Sequence, residues 1–289
     1  MPTEHSTGRE AFRVAAYQAS CRLNMEPSLT WTSLYQKYFQ AESCFATYFT
    51  ADSEFTGDSV IQPMRQLQHA FASVIDKGDT LVFYGFITNM NMLFPACDFF
   101  KEITIMDVLD TNLQYAENWL KHHPKAFNWT QCFKSIQVNE EERQKWITNE
   151  EKLRRTITMK NFMKLDLSES GPVAPKSFPQ VDCLLCPYTL TFLCKDHASF
   201  ISTLKNMTSL LKVGGHLILF VFIQCTYLYI ADFKLPILCI NDDFVKNVLS
   251  EQGFLIKEAQ LKHRVNQTKI SVMDFSHIMF LVASKVKDV

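Results

Sequence analysis

Two sets of residues in this chain have the types and spacing to do chemistry. The first is sulfur and imidazole: Cys183-x-x-Cys186 followed by Cys194-x-x-His197 has the intervals of a metal-ligand set. Local geometry argues against that use. Cys183 and Cys186 fall in an apolar run, 181–186, that reads as a strand, where positions three apart face opposite sides and no turn brings them together. No metal is expected there. Cys21, Cys44, Cys97, Cys132, Cys225 and Cys239 read as small packing residues rather than nucleophiles. The second set is carboxylates on apolar runs, Asp107 after 102–106 and Asp166 within 161–167. Such a group either contacts a ligand beyond the strand or serves the local turn, and the sequence leaves both roles open. His122 and His123 close a helical run, where positive charge complements the helix dipole, so neither reads as a general base.

Positioning these carboxylates requires strands that alternate with helices. After Gly78 and Asp79 short apolar runs begin to do so: 80–84 is strand-like, 90–100 helical, 102–106 strand-like, and 110–121 helical with Asp110 as its cap. The charged stretch 139–155 reads as a solvated helix, with Glu151 and Arg155 spaced for an i,i+4 pair. Strands at 161–167, 181–186 and 216–222 and helices at 197–211 and 242–252 continue the pattern, and 254–261 with 277–284 suggests a closing hairpin. Upstream lie helices at 31–40 and 59–76, the second with Pro63 in its first turn, where a missing amide proton matters little. The order predicts an α/β fold, a doubly wound, mostly parallel Rossmann-like sheet with a C-terminal antiparallel hairpin. Ligands of such sheets bind beyond the carboxyl ends of the strands, which puts the expected site near 84–90, Asp107, Asp166 and Pro187. Residues 1–29 read as a loosely ordered extension on a domain spanning 30–289.

Composition narrows the function classes. The 289 residues are 47% hydrophobic with 24 phenylalanines, enough for a full core. A net charge of -1 leaves no basic surplus for a phosphate backbone, so nucleic acid is not an expected partner. The longest apolar stretch, 217–231, is interrupted by Gln224 and Thr226 and is shorter than the roughly 20 residues a membrane span needs. No membrane association is expected. Nine cysteines without a recognisable secretory signal point to free thiols in the cytoplasm, and the sequons at Asn128, Asn206 and Asn266 read as chance matches. A small molecule or a protein partner remains the expected ligand, and no oligomeric state follows.

The run Leu210-Leu211-Lys212-Val213-Gly214-Gly215 joins a helix to a strand. With Phe100-Lys101-Glu102-Ile103, Asp107, Asn112-Leu113-Gln114, Asn118-Trp119-Leu120-Lys121, Ala126-Phe127-Asn128-Trp129 and Glu150-Glu151-Lys152-Leu153-Arg154, it resembles the nicotinamide, phenylethanolamine, indolethylamine and thioether methyltransferases. The resemblance runs over about 31–285. It implies a class I methyltransferase fold, S-adenosylmethionine as cofactor, and a small amine or thioether as acceptor. It also implies cofactor contacts for Gly85 in the first loop, Asp107 at the ribose with Asn112 five residues on, Asp166 at the adenine amino group, and Leu167 beside the ring.

Against that pattern several positions depart. The family loop has the form Asp-x-Gly-Ser-Gly-Pro-Thr beside the amino-acid end of the donor, and the matching residues here are Phe83, Tyr84, Gly85, Phe86, Ile87, Thr88 and Asn89. Phe86 brings a ring where a hydroxyl stood, and Ile87 puts a β-branched side chain where glycine would tolerate positive φ. A donor bound in the family's manner should clash, and the loop is expected to shift and pack these side chains inward. On the acceptor side Leu34 and Phe39 replace two tyrosines, Thr191 a carboxylate, Pro187 a threonine, Val221 an aspartate, and Cys225 and Leu228 a serine and a tyrosine. Methyl transfer depends on holding the acceptor against the sulfonium methyl. The expectation is therefore a family member impaired or inactive in catalysis, with no catalytic residue assigned. The alternatives are an active N- or S-methyltransferase and a binder of another adenosine-containing ligand.

Overall fold

The structure is a computed structural model that describes residues 31–49, 60–75, 78–136, 138–168, 171–173, 177–264 and 272–288. The expected extension at 1–29 lies outside the described residues. In chain order the strands are β1 (Thr80–Tyr84), β2 (Glu102–Asp107), β3 (Phe162–Lys164), β4 (Asp166–Ser168), β5 (Gly171–Val173) and β6 (Val181–Pro187), then β7 (Leu211–Ile223), β8 (Tyr227–Ile230), β9 (Phe233–Pro236), β10 (Phe254–His263) and β11 (His277–Lys285). The helices are α1 (Trp31–Tyr38), α2 (Ala41–Tyr48), α3 (Gln62–Ser73), α4 (Asp110–Leu120), α5 (Trp129–Ser135), α6 (Glu140–Thr156), α7 (Thr189–Leu193), α8 (His197–Thr208) and α9 (Asp242–Glu251).

The main sheet has the order β10-β11-β7-β6-β1-β2-β3, parallel from β7 to β3 and antiparallel where β11 joins β7 and β10 joins β11. In β1 and β6 nearly every residue is buried, which is why these strands read as continuous apolar runs instead of alternating ones. From β1 the chain first builds outward through β2 and β3, then returns to β1's other edge with β6 and β7. The reversal places the carboxyl ends of β1 and β6, Tyr84 and Pro187, at the switch point where such folds bind ligands.

Several elements differ from the sequence reading. The helix expected at 90–100 is a 3₁₀ segment over Ile87–Asp98, broken at Asn89 (φ -98°, ψ 18°) and containing Pro95. The strand expected over 161–167 ends at Lys164; Asp166 starts a separate two-stranded hairpin, β4–β5. Asp110 does not cap α4: Leu109 stands at the cap position, and Asp110 pairs with Lys164. On α6, Arg154 pairs internally with Glu150 at 2.7 Å and Glu151 at 3.6 Å, and Arg143 pairs with Glu140. Arg154 lies one residue before the expected Arg155, on the buried side. Helices α2, α5 and α7 and the β8–β9 hairpin were not anticipated.

Candidate functional site

The chain leaves β1 at Gly85, whose φ of +154° and tight surroundings explain the glycine: a Cβ there would stand 2.1 Å from the Thr189 hydroxyl. Thr189 opens α7, just past the end of β6, so the contact ties the two sides of the switch point together. Its hydroxyl donates to the Pro187 carbonyl at 3.0 Å and accepts from the Phe86 amide at 3.4 Å. Thr189 was not singled out in the sequence, because nothing in its neighbourhood marks a hydroxyl that faces a loop from another strand.

Asp107 ends β2 and is fully buried. Its Oδ2 accepts from the Ile87 amide at 3.0 Å and from the Asn112 side chain at 2.9 Å, and its Oδ1 accepts from the Leu109 amide at 2.9 Å. A carboxylate offers about four lone-pair positions, and three of them are taken by the protein itself. Burial pushes its carboxyl up to about 7, against the pull of the Leu109, Asn112, Ile87 and Val108 donors.

With its amide held by Asp107, the rewritten loop turns its side chains into the core. Phe86 and Ile87 are each 1% exposed. The Phe86 ring stacks on Phe39 with centroids 4.4 Å apart, and lies near-parallel to Tyr35 and Phe192 at 6.1 and 5.9 Å. The Tyr35 hydroxyl donates to the Pro236 carbonyl at 2.7 Å, which fixes α1 over the loop. The structure thus brings Gly85, Asp107 and Asn112 together. Asp166 stands apart on its hairpin with an exposed side chain, and the Leu167 side chain lies outside the described residues. The acceptor-side positions Leu34, Phe39, Thr191, Val221, Cys225 and Leu228 are all buried.

Beside Phe86 a cavity of about 60 Å³ remains, far below the roughly 300–1,000 Å³ of ordinary ligand pockets. The cysteine set expected not to hold metal is embedded in the core: Cys183, Cys186 and Cys194 are buried, and burial pushes all three thiols up, away from the thiolate that a metal needs.

Comparison with known proteins fits this architecture. Residues 28–286 match the sequence profile of the NNMT/PNMT/TEMT family. Nicotinamide N-methyltransferase of Homo sapiens is 31% identical over 265 residues, covering 91% of this chain and 98% of that protein. Indolethylamine N-methyltransferase of Oryctolagus cuniculus is 29% identical, covering 90% and 98%. Among solved structures, magnesium protoporphyrin IX methyltransferase from Synechocystis PCC 6803 with bound S-adenosylmethionine superposes with a TM-score of 0.52 at 13% identity, covering 90% of this chain and all of that one. That likeness establishes the fold. On the match over nearly its whole length, the chain belongs to the NNMT/PNMT/TEMT family of small-amine N-methyltransferases.

Proposed function

We propose that this chain is a non-catalytic member of its family, a cytoplasmic protein that no longer takes up S-adenosylmethionine in the family's manner and acts by binding. The observation that carries the reading is the set of protein donors on buried Asp107. The carboxylate that the resemblance assigns to the ribose hydroxyls is fully buried and already accepts from Ile87, Leu109 and Asn112. A ribose hydroxyl would have to compete there with three protein donors around a fully buried group. The amino-acid end of a donor meets a second obstacle, the buried Phe86 and Ile87 side chains. The residues present therefore do not fit the cofactor in the family's manner.

One remnant of an adenosine site persists. The Asn112 Oδ1 is buried without a hydrogen-bond partner, and it is an acceptor that a hydroxyl could use. For that reason adenosine is titrated alongside the donor.

Thermal unfolding of the full chain with S-adenosylmethionine, S-adenosylhomocysteine and adenosine tests the reading, since a ligand at a hundred times its Kd stabilises by about 2.7 kcal/mol. No shift with the first two is expected, and no methyl transfer to nicotinamide or indolethylamine, the acceptors named in the two relatives. A shift with both donor species that disappears in Asp107→Asn would overturn the proposal. A shift with adenosine alone would instead identify a nucleoside-binding protein.

A further inference from the structure

Two histidines face each other at the edge of the main sheet. His263 closes β10 and His277 opens β11, and the register sets them directly opposite one another. The Arg264 amide donates to the Ser276 carbonyl at 3.0 Å, so the next pair, His263 with His277, takes the non-hydrogen-bonded position, where side chains on neighbouring strands come closest. Their ring centroids are 4.0 Å apart, with the planes tilted by 57°. His263 is exposed and His277 half-buried, so the pair is reachable from solvent.

The surroundings of His277 prepare one ring nitrogen for a metal ion. The Ser276 hydroxyl lies 3.1 Å from the Ile223 carbonyl and 2.7 Å from the His277 Nδ1. A carbonyl can only accept, so a proton between the two oxygens satisfies both contacts, and the Ser276 Oγ then accepts from Nδ1–H. In that tautomer the lone pair of the neutral ring sits on Nε2. Ligating histidines are commonly oriented in this way, by a hydrogen bond from the ring nitrogen that does not touch the metal. Two imidazoles at a right angle, each about 2 Å from one ion through nitrogen, put their centroids about 4.5 Å apart. A small turn of the exposed His263 ring covers the difference. The other charge acting on His277 is Asp242 in the first turn of α9, which pairs with Lys246 at 2.6 Å. Among the described residues no third histidine, cysteine or carboxylate completes a ligand set, so the remaining coordination positions fall to water.

We propose that His263 and His277 form an open two-histidine site for a divalent late transition-metal ion such as nickel(II), copper(II) or zinc(II), with Ser276 orienting the His277 ring. A bound ion clips β10, the strand at the sheet edge, to its neighbour. The site is separated from β1 by β7 and β6, and it does not depend on the reading of the loop at Phe86. Calorimetric titration of the untagged full chain with nickel(II) at neutral pH tests it. Nickel(II) is expected to bind and magnesium(II) to give no heat, because a hard cation prefers oxygen ligands. His263→Gln and His277→Gln should each weaken nickel binding by more than about tenfold, and Ser276→Ala by about tenfold. Binding of undiminished strength in the double histidine variant would put the ion elsewhere, for instance at His122 and His123, and would overturn the proposal. So would an absence of nickel binding by the wild type, or a loss confined to one of the two histidine variants. Proton–nitrogen correlation NMR of the wild type reads the tautomer without any substitution. A neutral His277 protonated at Nδ1 is expected, and protonation at Nε2 would overturn the proposal even if a variant failed to fold.

Discussion

Asp107 is a buried carboxylate surrounded by N–H donors, and it holds the backbone at Ile87 against the start of α4. Because burial pushes its pKa from 3.8 up to about 7, the folded state binds the proton more tightly than the unfolded chain does. Its contribution to stability is then full below about pH 4 and is lost as pH rises through about 7. Asp107→Asn removes the titration, so urea unfolding should show the wild type gaining relative to the variant from pH 8 to pH 5; a constant difference would contradict this. Gly85 is held by geometry of another kind. Gly85→Ala places a methyl group 2.1 Å from the Thr189 hydroxyl at φ +154°, and a loss of about 2–4 kcal/mol is expected. Adding Thr189→Ala should recover part of it, so that the double variant costs less than the sum, whereas strict additivity would mean the two residues do not meet. Both positions stood out in the sequence, Gly85 from the loop and Asp107 from its strand end. What the sequence left open was which partner they serve. A strand-end carboxylate looks the same whether it faces a sugar or its own loop, and only the side chains of Phe86 and Ile87 hinted at the second.

Elements show the same division between what periodicity reveals and what tertiary contact decides. Strands β1, β2, β6, β7, β10 and β11 follow apolar runs, and α8 and α9 follow helical spacing closely enough to be read from the chain. The 3₁₀ segment after β1 was not readable as such, because Ile87 is tied to Asp107 and Pro95 lacks an amide proton, constraints that a helical pattern does not display. On α6 the charged composition suggested a solvated face, yet Glu150 and Arg154 are 5% and 10% exposed in their side chains. Glu150 accepts from the Trp119 indole at 3.0 Å, and the Arg154 guanidinium lies 4.0 Å from the centre of that ring. Arg154→Ala leaves Glu150 buried without its cation, and calorimetry should show a loss of about 3–5 kcal/mol. The double variant Glu150→Gln with Arg154→Met should cost clearly less, and an equal cost would mean that packing rather than charge sets the effect. At the opposite end of β1, Asp182 accepts from the amides of Asp79 and Thr80 and pairs with Lys212 at 2.6 Å. Burial raises its pKa, but the Lys212 and Thr80 bonds outweigh it and hold the carboxyl at about 2. Its contribution, on the order of 2 kcal/mol, is present above about pH 4 and is lost as pH falls toward 2. Asp182→Asn should therefore flatten the acid limb of a melting-temperature profile.

At the scale of the whole molecule, the loop at the switch point packs its side chains into the core. Phe86 joins Tyr35 and Phe39 of α1 and its vicinity to Phe192 of α7, so elements far apart in sequence pack on the loop itself. Large-to-small changes at such positions cost about 3–5 kcal/mol for a phenylalanine and somewhat less for an isoleucine, against a total stability of about 5–15 kcal/mol. Returning the loop to the family's pattern is consequently not a local repair. Phe86→Ser with Ile87→Gly removes two fully buried side chains and leaves the Ile87-position amide still bonded to Asp107. A melting temperature lower by more than about 10 °C is expected, with no further shift on adding S-adenosylmethionine. Were the double variant instead to melt near the wild type and gain a donor-dependent shift, side-chain obstruction alone would have been the barrier, and the loop's path would be that of an active family member. The predicted outcome follows from where the stabilising contacts sit. Phe86 and Ile87 are core positions, and the rings packed on Phe86 come from other elements of the fold.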